Sequence, residues 1–266
     1  MLFGYSVAAT AENWLHECLF EMVRSALTLM NAGGGAGNWP DCVPPAHKAR
    51  LRNRATLRAK FESFCQAAKQ VTQEERLQVL DALATQNNIP AVFDGTTVCL
   101  RNEDLPGAIR ESTKDLFSIA FDILTGLKIR DRHYQIIYDR LPARVCPFCG
   151  IEPFEAPGLA REDLDHYLAI SHYPFAGTNL RNLAPMGGKC NSAYKGVKDV
   201  LWDAAEHRRR CFDPYGAATA AVSLLNSRPF DGEIKESIYQ ARRASVRAAG
   251  GYNWYAAAAG ITAPKY

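Results

Sequence analysis

The chain has 266 residues, 47% hydrophobic and 22% charged, with 31 basic against 28 acidic side chains and a formal net charge of +3. This composition supports an ordinary globular core and excludes a disordered polyelectrolyte or a small scaffold that needs covalent staples. With charge so near balance, any grip on nucleic acid must come from local clusters of Lys and Arg.

The opening residues, MLFGYSVAATAENWLHECLF, lack a basic lead-in and interrupt their apolar run with polar and acidic side chains, so no secretory signal is expected. No stretch approaches the roughly 20 unbroken apolar residues of a membrane span. The expectation is a cytoplasmic protein with reduced thiols and no membrane partner. Helical spacing runs from Ala11 to Leu29 and ends at the glycines Gly33, Gly34, Gly35 and Gly37. After Pro44 and Pro45 a basic helix is expected from about Ala46 to Val71, with Arg50, Arg54 and Arg58 four apart on one face beside Lys48 and Arg52. Thr72 and Glu75 form a capping-box pattern for a helix to about Ala84. Asp94-Gly95, between AVF and TVCL, predicts a tight hairpin over Ala91 to Leu100. Ser112 and Asp115 mark a helix start and Gly126 its end, and a further helix spans Asp131 to Arg140 before Pro142. Beyond the middle of the chain, a short helix is expected from Asn191 to Ala205. A break follows at Asp213-Pro214-Tyr215-Gly216, then a final helix from Gly232 to Ala249 bearing Arg242, Arg243 and Arg247.

Eight cysteines are present: Cys18, Cys42, Cys65, Cys99, Cys146, Cys149, Cys190 and Cys211. The first four read as ordinary buried thiols, since a free cysteine behaves as a small hydrophobe. Cys146-Pro147-Phe148-Cys149-Gly150 is different. Two thiolates at this spacing can clamp one face of a tetrahedral zinc, and in a reducing compartment such a pair suggests metal before disulfide. Cys190 is a good third ligand.

Asp165-His166-Tyr167 follows the pair, then Asn182 in RNLAP, and Cys190-Asn191 and Lys195-Gly196 in KCNSAYKG. Sixteen positions separate His166 from Asn182, and nine separate Asn182 from Asn191. In this order and at these gaps the segment from about 145 to 200 resembles the HNH (ββα-metal) endonuclease family, in its zinc-knuckle form. With the helical spacing read above, the resemblance implies an α+β, predominantly helical protein. A mainly helical N-terminal region over 1–140 would serve partner or DNA binding. An HNH module would fill 141–205, and a C-terminal helical cover would pack on it over 206–266. It further implies that His166 is the general base, that Asp165 and Asn191 bind a catalytic Mg²⁺ or Mn²⁺, and that Asn182 holds the His166 ring through a hydrogen bond. Cys146, Cys149 and Cys190 would hold a separate, structural Zn²⁺. The family's second knuckle would put Cys at position 187, where this chain has Gly187. The fourth ligand is left to Cys211, His207 or His172, or else zinc is absent and packing holds the loop. A second departure is Ala169, where the family often has Pro.

These residue types suit the chemistry in their own right. A neutral imidazole takes a proton at physiological pH, and such a base typically contributes about 10²–10⁴-fold. Oxygen ligands suit a hard cation, whereas thiolates select zinc. Lys195 could approach a phosphate or be a solvated lysine. Arg50, Arg54 and Arg58 could follow a nucleic-acid backbone or form an interface with an acidic partner, and Arg208 and Arg209, in the basic run that ends at Arg210, could contact phosphate or be a solvated face. His172 and Tyr173 read as loop packing, and the four tryptophans as core or interface anchors. The expected activity is phosphodiester hydrolysis, in double-stranded DNA first, although RNA offers the same linkage. A site of this kind nicks one strand, so a double-strand break needs a homodimer or two events. A regulatory protein partner and a role in bacterial anti-phage defence or restriction follow from the resemblance. The alternatives are a non-catalytic nucleic-acid-binding module and a partner-binding subunit with a vestigial nuclease fold.

Overall fold

The computed structural model describes residues 2–159 and 163–217. The helix expected over 232–249, its arginines and Trp254 lie outside the described residues. The architecture is α+β and mostly helical. Helices α1 (Trp14–Asn31), α2 (Pro45–Leu51), α3 (Ala55–Lys69), α4 (Gln73–Asn87), α5 (Ile89–Phe93), α6 (Gly107–Gly126) and α7 (Ile129–Arg140) come first. Strands β1 (Asp163–His166) and β2 (Leu183–Met186) and a last helix, α8 (Lys189–Lys195), follow. Among the described residues no helix is long and apolar enough to cross a membrane.

In α1 the buried apolar residues Leu15, Cys18, Leu19, Met22, Val23, Ala26, Leu27 and Met30 alternate steps of three and one, so that each lies three or four positions from one in the next turn and a single face enters the core. The capping box at α4 forms as its sequence predicts: Glu75 N donates to Thr72 Oγ1 (3.2 Å) and Thr72 N to Glu75 Oε2 (2.7 Å). Cys18, Cys65 and Cys99 are buried, and burial pushes each thiol up to about 12.

Four sequence expectations are corrected. The basic helix over 46–71 is two helices, because the Trp39 indole claims the Arg52 carbonyl (3.0 Å) and the chain turns before Ala55. Arg50, Arg54 and Arg58 therefore share no helical face. Arg50 lies over the Trp14 ring, Arg58 pairs with Glu62 at 2.8 Å, and Arg54 reaches toward Gly126. Second, Ala91–Leu100 is no hairpin: Ile89, Val92 and Phe93, spaced three and four apart, are buried as a helical turn. Asp94 and Gly95 end that turn, with Asp94 Oδ1 accepting from Thr96 N (2.8 Å) and Gly95 in the left-handed region (φ 82). Third, α6 starts at Gly107, well before Ser112. Ser112 and Thr113 stay in the helix by folding their hydroxyls onto the Ile109 carbonyl (3.0 and 2.8 Å). Fourth, the helix after Cys190 is short and widely wound. A Gly196 N–H bond to the Asn191 carbonyl (2.6 Å) spans five residues, and Gly196 at φ 53 closes it.

The core has two parts. Leu19, Leu27, Phe61, Phe64, Val79, Leu83, Leu116 and Phe117 form a helical core, and Phe175, Leu180 and Leu183 from the strand region enter it. Phe175 meets Phe117 edge-on at 5.5 Å. The second part gathers Tyr5, Phe93, Tyr134, Cys146, Tyr167, Tyr173, Met186, Cys190, Leu201 and Tyr215 around the strand pair. The two strands are antiparallel, with Asp165 opposite Ala184 and His166 opposite Leu183. The loop that joins them is buried from Tyr173 to Leu180.

A buried loop must pair its backbone groups, and here the N-terminal helices supply the partners. Asn13 Oδ1 accepts from Leu180 N (2.9 Å), Gln86 Oε1 accepts from Phe175 N (3.0 Å), and Asn87 Nδ2 donates to the Phe175 carbonyl (3.2 Å). His16 Nδ1 lies 3.2 Å from Thr178 Oγ1. The chain start closes over the other side. Leu2 N donates to the Pro147 carbonyl (2.7 Å), Tyr5 N to the Pro214 carbonyl (2.7 Å), and the Tyr5 hydroxyl to the Pro185 carbonyl. Buried His133 sits between the Ala9 carbonyl (2.8 Å), the Leu183 carbonyl (3.1 Å) and the Tyr215 hydroxyl (2.9 Å).

Candidate functional site

His166 ends β1, and its Nε2 lies 2.9 Å from the Gly177 carbonyl. A carbonyl only accepts, so Nε2 carries the proton and the neutral ring keeps its lone pair on Nδ1. Burial pushes the imidazole down to about 4; the Gly177 bond opposes this, and the charges of Lys195 and Arg130 add to it. The ring is therefore neutral at physiological pH, the form a proton acceptor needs. Phe121 of α6 packs on it at 4.2 Å between centroids, and the Arg130 guanidinium covers the same Phe121 at 4.2 Å. Neither residue carries any signal in the sequence.

Asp165 is 8% exposed. Lys195, reaching back from α8, places Nζ 3.0 Å from Asp165 Oδ2 and donates to the His166 carbonyl at 2.8 Å. The solvated-lysine alternative is thus corrected: the Lys195 side chain is 9% exposed and engaged within the site. Asn191 lies one turn before Lys195 on α8, half-buried. The structure thus brings Asp165, His166 and Lys195 together, with Asn191 on the helix that covers them. As to a divalent ion, Asp165 and Asn191 offer hard oxygen donors, and the Lys195 ammonium already shows that a cation is accepted at the Asp165 carboxylate. The donor set fits such an ion, in competition with Lys195.

Asn182 is fully buried but does not touch the His166 ring. Its Oδ1 accepts from Leu168 N (2.7 Å), and its Nδ2 donates to the carbonyls of Leu168 (3.0 Å) and Ala176 (3.2 Å). The expected direct bond is replaced by an indirect one: Asn182 staples the loop, and the loop presents the Gly177 carbonyl to His166. Gly177 is tightly fitted, since a Cβ there would lie 2.6 Å from Ile170 Cδ1 and 3.0 Å from the Pro174 carbonyl. Gly177→Ala is expected to cost about 1–3 kcal/mol through overpacking and to tilt the carbonyl that aims His166. Urea unfolding alongside an activity assay checks this, and wild-type values in both would refute the placement.

The thiols form a separate cluster. The sulfurs of Cys146, Cys149 and Cys190 all lie within 4.8 Å of one another, the single such group among the described residues. Gly150, at φ 70, makes the turn after the knuckle and donates to the Cys146 carbonyl (2.7 Å). Hydrogen bonding from the Cys190 thiol, with help from the Gly187 amide, pulls the Cys146 thiol below its ordinary range and pushes Cys190 up. Three thiols that share charge in this way are the donor chemistry that zinc selects. Cys211, His207 and His172 do not belong to the group. Cys211 N donates to the Phe93 carbonyl (2.9 Å) and its thiol is raised by burial; His207 pairs with Asp203 (3.4 Å) and His172 with Glu103 (3.0 Å). Of the remaining basic candidates, Arg208 donates to the Val92 carbonyl and Arg209 to the Trp202 carbonyl (2.7 Å), so both are engaged with backbone. Tyr173 is packed in the loop, its hydroxyl on Asp199 Oδ2 (2.7 Å).

Comparison with protein-family models, with curated proteins and with solved structures finds no match.

Proposed function

We propose that this chain is a metal-dependent endonuclease of the HNH type that hydrolyses phosphodiester bonds, in double-stranded DNA first. The observation that carries the reading is the state of His166: neutral, its Nε2 proton committed to the Gly177 carbonyl, and seated beside buried Asp165 and the cations Lys195 and Arg130. In this reading Nδ1 of His166 takes a proton from water as the water oxygen bonds to phosphorus and the bridging P–O bond breaks. Asp165 and Asn191 would hold Mg²⁺ or Mn²⁺, which when bound stabilises charge on the phosphate and the leaving oxygen. Lys195 and Arg130 favour an anionic substrate at the site. Asn182, through the loop, is a positioning residue. The three cysteines hold a structural zinc apart from the chemistry. An effector role in anti-phage defence or restriction, with a regulatory partner or a second copy, rests on the family resemblance alone.

A second reading has one observation in its favour. The Lys195 ammonium pairs with the carboxylate that should hold the divalent ion, as suits a nuclease fold kept for nucleic-acid or partner binding.

Incubation of supercoiled plasmid with the purified protein and Mg²⁺ or Mn²⁺ separates the two. Nicking that stops on chelation and is absent from Asp165→Ala supports the enzyme. DNA retardation on a gel that survives chelation, with the plasmid intact in every metal and with added cell extract, supports the second reading and sinks the first.

A further inference from the structure

At position 187, where a second knuckle cysteine would stand, the structure supplies a different group. A Cβ built on Gly187 would lie 2.2 Å from Glu152 Oε2, 2.7 Å from Glu152 Cδ and 3.1 Å from Glu152 Cβ. The Glu152 carboxylate therefore occupies the space that a side chain at 187 would enter. With glycine at 187 the carboxylate can take this position, and a Cβ built on Gly188 would lie 3.6 Å from Glu152 Oε1, in ordinary contact. The Gly187 peptide also belongs to the thiol cluster, since its N–H donates to Cys146 Sγ (3.4 Å). Acid and thiol, six residues apart in the knuckle turn, thus converge on one residue of a distant segment.

Glu152 is held in place by backbone. Its carbonyl accepts from Cys146 N (2.7 Å), and Val145 and Pro153 form a bridge on either side of the knuckle turn. Its carboxylate accepts from Lys189 N (3.3 Å), the residue before Cys190. We propose that Glu152 is the fourth ligand of a zinc ion held by Cys146, Cys149 and Cys190, so that the knuckle is a three-cysteine, one-glutamate site. The proposal rests on the zinc reading of the cysteine cluster given above.

The chemistry is consistent. Zinc accepts carboxylate oxygen at about 2.0–2.2 Å alongside thiolate sulfur at about 2.3 Å. A glutamate preserves the net charge that four thiolates would give, which a histidine or water would not. The carboxylate now stands outside the group of sulfurs within 4.8 Å of one another. Rotation about its own side-chain torsions, with release of the Lys189 amide, is the movement that ligation needs. Oxygen is the harder donor, so this site should bind zinc less tightly than a four-cysteine knuckle.

The test uses the full chain. Zinc content and affinity are measured by competition with a chromophoric chelator, and Co²⁺ substitution reports the ligand field. The proteins are wild type, Glu152→Gln, Glu152→Ala, and Glu152→Ala combined with Gly187→Cys. Wild type is expected to hold one zinc. Glu152→Gln, which keeps the volume and the fold, should lose at least about tenfold in affinity and shift the Co²⁺ visible bands. The double variant should recover or exceed wild-type affinity, with stronger thiolate charge-transfer absorption. If wild type holds zinc and both single variants match it in affinity and spectrum, Glu152 is not a ligand while the cysteine site stands. If wild type and Cys146→Ser alike take up no zinc, the cysteine reading falls and the proposal with it.

Discussion

His166→Ala is expected to lower metal-dependent plasmid nicking by about 10²–10⁴-fold, the usual contribution of a positioned base. The fold should survive. His166 is only half-buried, and its ring makes one hydrogen bond, to the Gly177 carbonyl, with Phe121 against its face. Single-turnover nicking rates separate a chemical defect from weaker DNA binding. Imidazole added to the His166→Ala protein should restore part of the rate, because the proton acceptor, not a packing group, is missing. A variant that nicks at the wild-type rate would remove His166 from the reaction and leave the second reading in possession.

Asn182→Ala has the largest expected effect on stability. The side chain is fully buried and all three of its polar contacts go to backbone of the strand-joining loop. Its removal strands the Leu168 N–H and the Leu168 carbonyl in the buried loop, while the Ala176 carbonyl keeps the Asn179 N–H (3.1 Å). Each such group costs about 1–3 kcal/mol, so a loss of about 3 kcal/mol or more is expected in urea unfolding. Asn182→Asp sharpens the test. A carboxylate keeps the acceptor for Leu168 N but turns a negative charge on the carbonyls of Leu168 and Ala176. Its folded-state pKa must rise above the unfolded value, so the charge penalty is absent below the unfolded pKa and grows as pH rises toward and through the folded one. Relative to wild type, the Asn182→Asp protein should gain stability on acidification. A pH-independent difference would mean that the loop relaxes around the new charge.

The sequence made some of this legible because the deciding contacts were local. Thr72 and Glu75 are three residues apart, and their capping box forms as read. Cys146 and Cys149 sit in one turn, and Cys190 joins them. Ile89, Val92 and Phe93 misled because an Asp-Gly pair ends a helical turn as readily as it makes a hairpin, and only burial on one helical side decides. Arg54 fell at a break created by an indole thirteen residues before Arg52. The holder of His166 was not legible at all: it is a backbone carbonyl, and position 177 shows only a glycine. Glu152 was not singled out in the sequence, because its bearing on Gly187 depends on folding that joins residues 35 apart. The roles of Arg208 and Arg209 were hidden in the same way, since a guanidinium aimed at a carbonyl looks in sequence like one aimed at a phosphate.

The clasp formed by Tyr5, His133 and Tyr215 has a consequence for the order in which the protein is made. Tyr215 and His133 both reach Leu183, the strand partner of His166, and Tyr5 reaches Pro185 two residues on. Tyr215 leaves the ribosome 210 residues after Tyr5. Until then β2 lacks its last buried partner, and the wall behind the histidine is unfinished. A chain caught in mid-synthesis, or cut short before Tyr215, carries every residue of the candidate site without the frame that sets them, so translation itself delays the moment at which the site is complete.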